Sequence, residues 1–180
     1  KILRRLLSRL KAHPRATGFE RGHSIVTHAL THSGMAVVVR MDLVDFFPST
    51  PASRVERYFR AVGWNGEASA LLTQLCTWKG GLPQGAPTSP RLSNLVNFRV
   101  DVRLTGLAEK LGASYSRYAD DLTFSFDKDD RGSIGDLVHG VKRIVEENGY
   151  RLHLHKKLRV RRRHQRQVVT GLVVNQGVRL

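Results

Sequence analysis

The chain has 180 residues, 41% of them hydrophobic, which is enough for one compact domain with a core and too few for two of ordinary size. Lys and Arg number 30 against 15 Asp and Glu, and the net charge of +15 favours a polyanionic partner, nucleic acid first and an anionic membrane second. The single cysteine, Cys76, excludes an intramolecular disulfide and a cysteine-based zinc site. Without a signal-peptide pattern or an apolar run near the ~20 residues that span a bilayer, the chain is expected to be soluble and cytoplasmic.

The N-terminal 35 residues are predicted to be mostly helical. Residues 1–10 carry an apolar stripe at helical spacing, with a basic outer face that is either solvated or in contact with phosphate. Ser24 is suited to cap a second helix, on which His28 and His32 stand four residues apart. That spacing can bind a metal, but no third ligand accompanies it, so packing or a hydrogen bond is the favoured interpretation.

A continuously apolar run from Ala36 to Val39 predicts a central strand over residues 36–42, covered on both faces. Asp42 stands at its carboxyl end, where sheets present functional groups. Helical patterns follow at residues 53–77 and 89–111, with a Gly- and Pro-rich loop between them. In this loop Gly85 permits close approach to a ligand, and the next helix, with Ser89 as its N-cap, begins with N–H groups that favour phosphate.

Residues 113–118 and 122–126 alternate in polarity and are rich in aromatic and β-branched side chains, which predicts a β-hairpin with Asp120 and Asp121 in its tight turn. Asp is a common turn residue, so an isolated Asp pair would be weak evidence of a site. Adjacent carboxylates repel one another, however. Two Asp side chains at an accessible corner therefore suit a hard cation such as Mg²⁺.

The last third of the chain combines one helix, further strands and a dense basic run. Residues 134–147 have a helical apolar pattern closed by Asn148 and Gly149, and strands are predicted at 151–154 and 167–174. Residues 151–166 contain eight Lys or Arg and no acid, a density that indicates an anionic partner.

The order of these elements is βαββαβ, so the predicted fold is α+β and ferredoxin-like, with additional N-terminal helices and a C-terminal β-hairpin. That arrangement places the end of the first strand beside the hairpin, so that Asp42 faces Asp120 and Asp121. Three carboxylates in a strongly basic chain suit a two-metal phosphoryl-transfer site, which predicts nucleotidyl transfer.

Three motifs stand in the order seen in reverse transcriptases: Met41-Asp42-Leu-Val-Asp45-Phe-Phe47, Leu82-Pro-Gln-Gly-Ala-Pro-Thr-Ser89 and Tyr118-Ala-Asp-Asp121. The chain resembles that family from Gly18 to Asn175. It resembles the retron-type bacterial enzymes in particular, because two further segments are similar to their Asn-Ala-x-x-His and Val-Thr-Gly elements, namely His28-Ala-Leu-Thr-His32 and Val169-Thr-Gly171.

Two positions depart from the family pattern. His28 stands where Asn is usual, and His153 stands where the Gly-Phe-x-x-Asn-x-x-Lys stretch has Asn. By the resemblance, residues 1–35 would be a helical segment next to the palm and fingers, 36–157 the polymerase palm with the carboxylates, and 158–180 a primer-grip-like β-hairpin leading to an absent thumb. A piece without full fingers and thumb is expected to polymerise weakly.

The resemblance implies a role for each matching residue. Two Mg²⁺ ions, which Mn²⁺ could replace, would be held by Asp42, Asp120, Asp121 and the Leu43 carbonyl. The nucleotide would contact Phe47, Gln84, Gly85 and Lys156. The primer and template would contact Tyr118, Thr170, Gly171 and Leu172. Phe47 would select deoxynucleotides by obstructing a 2′-hydroxyl, unless it is a core residue, and Lys156 could equally be one member of the basic run.

The implied activity is RNA-directed DNA synthesis, in which a primer hydroxyl attacks the α-phosphate of a dNTP and pyrophosphate leaves. Its partners would be an RNA template, an RNA or DNA primer, a cognate structured noncoding RNA and an effector protein. The product would be the multicopy single-stranded DNA of a retron, made in antiphage defence. A group II intron or diversity-generating reverse transcriptase is one alternative, and a catalytically silent RNA-binding scaffold is another.

Overall fold

The computed structural model describes residues 1–153 and 158–179. Contacts divide the chain into two compact units, residues 1–13 with 45–99 and residues 14–44 with 100–180. The helices are α1 (Ile2–Arg5), α2 (Ile25–Leu30), α3 (Ala52–Ala61), α4 (Gly66–Cys76), α5 (Ser89–Val96), α6 (Phe98–Lys110) and α7 (Arg131–Glu147). The strands are β1 (Val37–Asp42), β2 (Ala113–Tyr118), β3 (Asp121–Phe126), β4 (Arg159–Arg162), β5 (Val168–Val169) and β6 (Leu172–Val173).

The first unit is helical. Its core brings together apolar side chains from α3, α4, α5 and the loops beside them: Leu7, Val55, Phe59, Cys76, Leu82, Leu92 and Leu95. Cys76 is thus a small buried core residue. Asn65 caps α4, because its side chain accepts a hydrogen bond from the Ala68 N–H at 2.9 Å.

The second unit contains a four-stranded antiparallel sheet in the order β2-β3-β1-β4. The central strand is covered on both faces, as predicted, because Val37, Val38 and Val39 are each at most 1% exposed. Val38 packs with Ala29 of α2 and with the apolar residues of the β5–β6 hairpin. The predicted α+β class, with helices and an antiparallel sheet, is confirmed.

Two predicted helices are interrupted. Residues 1–10 do not form one helix, because α1 ends at Arg5 and the hydrogen bonds tighten to a 3₁₀ turn over Leu7–Arg9. Likewise the apolar stripe of residues 89–111 is divided at Asn97. Its side chain donates to the Ser93 carbonyl at 2.9 Å and so occupies the acceptor that its own N–H would use in a continuous helix. Thr88, and not Ser89, is the N-cap of α5.

Two strand predictions are wrong in detail. Of the predicted strand at 151–154, residue 154 lies outside the described residues, and Leu152 makes only an isolated bridge to Leu43. The described edge of β1 pairs instead with β4, which begins at Arg159. The predicted strand over residues 167–174 is the β5–β6 hairpin, because Thr170 and Gly171 hold positive φ angles of 46° and 86°. Two adjacent residues with positive φ form the type I′ turn that suits a two-residue hairpin loop. Within the described ranges no helix is long and apolar enough to cross a membrane.

Candidate active site

The β2–β3 hairpin presents Asp120 at its tip. Tyr118 pairs with Asp121, which leaves Ala119 and Asp120 as the two turn residues. Asp121 is thus the first residue of β3, and the prediction that it lies in the turn is wrong. Ala119 has a φ of 55°, in the left-handed region, which costs a residue other than glycine about 1 kcal/mol or more. This turn is a strained corner that its surroundings must hold in place.

The sheet register brings the carboxylates to this corner. Asp42, the last residue of β1, is the cross-strand partner of Asp121. The N–H of Leu43 donates to the Asp120 carbonyl at 3.0 Å, so the end of β1 is tied to the turn. The Asp42 carboxylate lies close enough to Asp120 to raise the pKa of the Asp120 carboxyl group. Three acids separated by up to 79 positions in the chain therefore meet at one end of the sheet.

The electrostatics of the corner differ between the two neighbouring acids. Burial raises the pKa of Asp120 above its usual value, and the nearby Asp42 adds to that increase. Burial also raises the pKa of Asp121, while Arg40 opposes the increase. The Arg40 guanidinium donates from Nε to Asp121 Oδ1 at 3.3 Å, from Nη2 to Asp121 Oδ2, and from Nη1 to the Val168 carbonyl at 3.1 Å.

The donor chemistry of this corner fits a hard cation. Crowded carboxylates whose protonation is favoured by their neighbours are stabilised in the ionised form when a cation approaches. In residues 1–153 and 158–179, however, no group of three or more His, Cys, Asp and Glu side chains is arranged to hold a metal ion. Arg40 occupies the Asp121 carboxylate in this structure, so a cation bound by all three acids would compete with that ion pair.

A buried ion pair between Asp101 and Arg117, which was not predicted, also contacts the turn. Arg117, 1% exposed, donates from Nε and Nη2 to the two carboxylate oxygens of Asp101 at 2.8 and 2.7 Å. Its Nη1 donates to the Ala119 carbonyl at 3.1 Å. Tyr115 also donates to Asp101, at 2.9 Å. The available signal was Asp101 beside the apolar stripe of α6 and Arg117 in the alternating sequence of β2.

The exposed edge of β2 is covered by residues 15–18. Ala16 forms a parallel bridge to Arg117, and the N–H groups of Thr17 and Gly18 both point to the Arg117 carbonyl, at 2.8 and 3.4 Å. A Cβ atom on Gly18 would lie 2.7 Å from the Ala119 nitrogen. Glycine is therefore required where this segment crosses the back of the turn.

His28 lies on α2, whereas His32 lies two residues after its end, so the prediction that both stand on one helix is wrong for His32. Both side chains are buried hydrogen-bonding groups. His32 Nδ1 and Nε2 lie 2.8 Å from Ser125 Oγ and 2.7 Å from Ser116 Oγ. His28 Nδ1 lies 2.8 Å from Thr17 Oγ1, and its ring lies 5.6 Å from that of Tyr118. Burial lowers the pKa of His28 to about 4 and that of His32 to about 3. Both histidines therefore make hydrogen bonds, as favoured by the sequence, and the His28 ring packs beside that of Tyr118.

The residues assigned to the nucleotide lie in the first compact unit, apart from Lys156, which is outside the described residues. Phe47 is half-buried and packs against the helical core, so part of its ring serves that core. Gln84 and Gly85 are exposed in the loop before α5, and Gly85 has a φ of 86° that only glycine adopts readily.

Apart from Tyr118, which ends β2, the residues assigned to the primer and template lie on the β5–β6 hairpin. Thr170 and Gly171 form its turn, where the Thr170 hydroxyl donates to the Ile25 carbonyl at 3.3 Å. The Leu172 side chain, 4% exposed, packs into the cluster with Ala29 and Val38. His153, one of the departures from the family pattern, donates its backbone N–H to the Asp42 carbonyl at 2.9 Å. Its backbone thus contacts the strand end that carries Asp42.

Comparison with known proteins identifies similarity over almost the whole chain. The family model described as reverse transcriptase (RNA-dependent DNA polymerase) matches residues 1–170. The retron Mx162 reverse transcriptase of Myxococcus xanthus is 42% identical over 97% of this chain and 41% of its own length. The retron Ec86 reverse transcriptase of Escherichia coli is 39% identical over 97% of this chain and 54% of its own length. The chain thus spans about half the length of these relatives, or less.

A solved structure shows the same fold at low sequence identity. Apo telomerase from Candida tropicalis aligns with a TM-score of 0.60 and 10% identity, over 86% of this chain and 37% of that one. At this identity the likeness concerns the fold alone.

Proposed function

Because this chain belongs to the reverse transcriptase (RNA-dependent DNA polymerase) family, we propose that it carries the catalytic carboxylates of a retron-type RNA-directed DNA polymerase. The similarity to retron enzymes confirms the resemblance that the motifs indicated. The observation that carries the proposal is the meeting of Asp42, Asp120 and Asp121 at one end of an antiparallel sheet, in a chain that matches this family. The proposed substrates are an RNA template, an RNA or DNA primer and dNTPs.

In this proposal the four-stranded sheet is the ferredoxin-like palm of the polymerase. The order β2-β3-β1-β4 supports it, because a βαββαβ chain that folds in this way pairs β1 with both β3 and β4. The palm would take in residues 36–157 together with β4, which pairs with β1 although it begins at Arg159. The β5–β6 hairpin would act as the primer grip, and residues 1–35 as the helical segment beside the palm.

The carboxylates would hold two Mg²⁺ ions, with Mn²⁺ as a substitute, together with the carbonyl of Leu43. Bound divalent cations supply charge neutralisation at the phosphates and activation of the attacking hydroxyl. The protein's own task is to position the reacting groups and to hold negative charge where those cations bind. Arg40 contributes a positive charge beside Asp121 and keeps that carboxylate oriented.

The remaining assignments follow the family pattern and stay proposals. Phe47, Gln84, Gly85 and Lys156 would contact the nucleotide. Tyr118, Thr170, Gly171 and Leu172 would contact the primer and template. The positive φ of Gly85 supports close approach of its backbone to a ligand. A cognate structured RNA, an effector protein and antiphage defence through multicopy single-stranded DNA belong to the same proposal, on the basis of the similarity to the retron enzymes.

The decisive experiment is primer extension on an RNA template by the full-length protein and its Asp120→Asn variant. Loss of this carboxylate should lower the rate by about 10³-fold or more, because several kcal/mol of charge stabilisation depend on the bound cations. Asp136→Asn is the matched control, since Asp136 is an exposed acid on α7, and it should keep full activity. Equal activity of the Asp120→Asn variant would refute the proposal. Salt-dependent RNA binding without Mg²⁺-dependent synthesis would instead support a binding scaffold.

A further inference from the structure

A cavity of about 430 Å³ lies on the sheet face that also carries Asp42 and Asp121. Strand alternation explains its floor, because cross-strand pairing places Arg40 opposite Arg159 and Val38 opposite Arg161. The segment that leads into β5 provides the opposite wall. We call this space the basic cavity, and its lining residues are Val38, Arg40, Arg159, Arg161, Arg166 and Val168.

The wall of the basic cavity is held by a buried glutamine. Gln167 is 0% exposed, and its Nε2 donates to the carbonyls of Met35, Ala36 and Arg161 at 3.2, 3.4 and 3.1 Å. Its backbone N–H donates to the Asn175 side chain at 2.9 Å. The chain between β4 and β5 is therefore anchored to the sheet, and Arg166 and Val168 are kept on either side of that anchor.

The charge inside the basic cavity is not balanced. Arg40 is paired with Asp121, but in the part of the chain that the structure describes, the side chains of Arg159, Arg161 and Arg166 have no acidic partner. Arg162, which points to the other side of β4, does have one, since its Nε donates to Asp129 at 2.6 Å. Like charges directly opposite each other, such as Arg40 and Arg159, destabilise a sheet unless an anion lies between them.

We propose that the basic cavity binds the backbone phosphates of a nucleic-acid strand that passes over the sheet. Guanidinium groups bind phosphate oxygens in pairs of parallel hydrogen bonds, and arginine is favoured over lysine for this purpose. Arg159 and Arg161 are two residues apart on an edge strand, about 6.6 Å, so each can meet a different phosphate of one strand. This inference rests on the proposed function for the identity of the strand, and on the cavity itself for the site.

Arg40 lines the cavity and at the same time binds Asp121 and the Val168 carbonyl. Arg40 therefore connects the basic cavity to the corner that carries the carboxylates.

The test is a binding titration in the absence of Mg²⁺, so that it does not depend on polymerisation. The probe is a fluorescein-labelled RNA template annealed to a DNA primer, and the full-length protein is compared with its Arg159→Gln/Arg161→Gln variant. Affinity should fall about tenfold, and the slope of log K against log salt should become shallower by about 1 to 2. The slope counts neutralised phosphates and lysine is also positively charged, so the variant Arg159→Lys/Arg161→Lys should restore most of the slope.

The matched control removes two positive charges elsewhere, with Lys142→Gln/Arg143→Gln on the exposed side of α7, and should change affinity by less than about twofold. Arg166→Gln tests the same cavity outside the sheet, in case the double change on β4 disturbs folding. Equal losses for the cavity and control variants would overturn the proposal. So would an unchanged affinity with a raised KM for dTTP, since the site would then bind a free triphosphate. Reduced binding together with a fully active Asp120→Asn variant would leave the cavity in place and refute only the polymerase.

Discussion

Arg117 is a fully buried cation whose guanidinium joins α6 to the turn that carries Asp120. Two of its nitrogens bind Asp101 and the third binds the Ala119 carbonyl. Its backbone carbonyl accepts from Thr17 and Gly18 at the same time. A single residue thus holds the strained turn from both the side chain and the main chain. Neither Asp101 nor Arg117 was predicted as important, because an acid and a base 16 positions apart meet only when α6 packs on β2.

Asp101→Asn should destabilise the protein by about 3–5 kcal/mol, because it leaves the Arg117 charge buried without its partner. Urea denaturation followed by circular dichroism measures this loss. Glu147→Gln is the control, since it breaks the exposed pair between Arg103 and Glu147 and should cost less than about 1 kcal/mol. If the two variants lost similar free energies of unfolding, the buried pair of Asp101 and Arg117 would contribute no more than the exposed pair, and the prediction would be wrong.

His32 makes stability depend on pH. Burial lowers its pKa from 6.5 to about 3, so the unfolded chain takes up the proton first as the pH falls. The stabilisation is complete above about pH 6.5 and is lost progressively toward pH 3, with a slope of up to about 1.4 kcal/mol per pH unit.

The variant His32→Gln should reduce that slope, measured as the free energy of unfolding against pH between about 6.5 and 4.5. His28 titrates in part of the same window, since its pKa is lowered to about 4, so a smaller slope remains. Replacing the exposed His139 by Gln is the matched control for the loss of one imidazole. An unaltered slope in His32→Gln would mean that this residue does not fold in its neutral form.

At the scale of elements, the β2–β3 hairpin is a local unit whose position depends on distant segments. Its alternation and the presence of a turn were predictable from neighbouring residues, although the turn residues are Ala119 and Asp120 and not Asp120 and Asp121. Its support was not, since residues 15–18 reach β2 from about 100 positions away. The partners of β1 were likewise not predictable from neighbouring residues: β4 pairs with the strand, and Leu152 forms a bridge to Leu43 just after it.

Gly18→Ala should displace the turn, because the new Cβ would lie 2.7 Å from the Ala119 nitrogen and backbone atoms must move to admit it. The expected result is a loss of about 1–3 kcal/mol of stability together with reduced primer extension. Gly135→Ala in the interior of α7 meets nothing within 4 Å and should stabilise the protein by about 0.5–1 kcal/mol, with activity unchanged. A harmless Gly18→Ala would show that the turn does not need this close contact. Urea denaturation and extension assays on both variants decide the matter.

At the scale of the whole molecule, the basic residues behind the net charge of +15 have two different roles. Some arginines are structural, such as Arg117 in its buried pair and Arg91, whose Nε donates to the Leu7 carbonyl at 3.2 Å. Others lie around the basic cavity without an acidic partner in the described part of the chain. The excess charge that composition reveals is therefore partly structural and partly available for a polyanion.

The sequence by itself determined the basic character of the protein, the family motifs, the α+β class and the hairpin that carries Asp120, because each is expressed in composition or in short-range periodicity. Only the tertiary structure decided that β4 begins at Arg159, that Asp101 pairs with Arg117, and that Arg40 occupies Asp121. These features depend on strand register and on packing between residues far apart in the chain. A local pattern reports which side chains share a face, and folding determines which charges meet there.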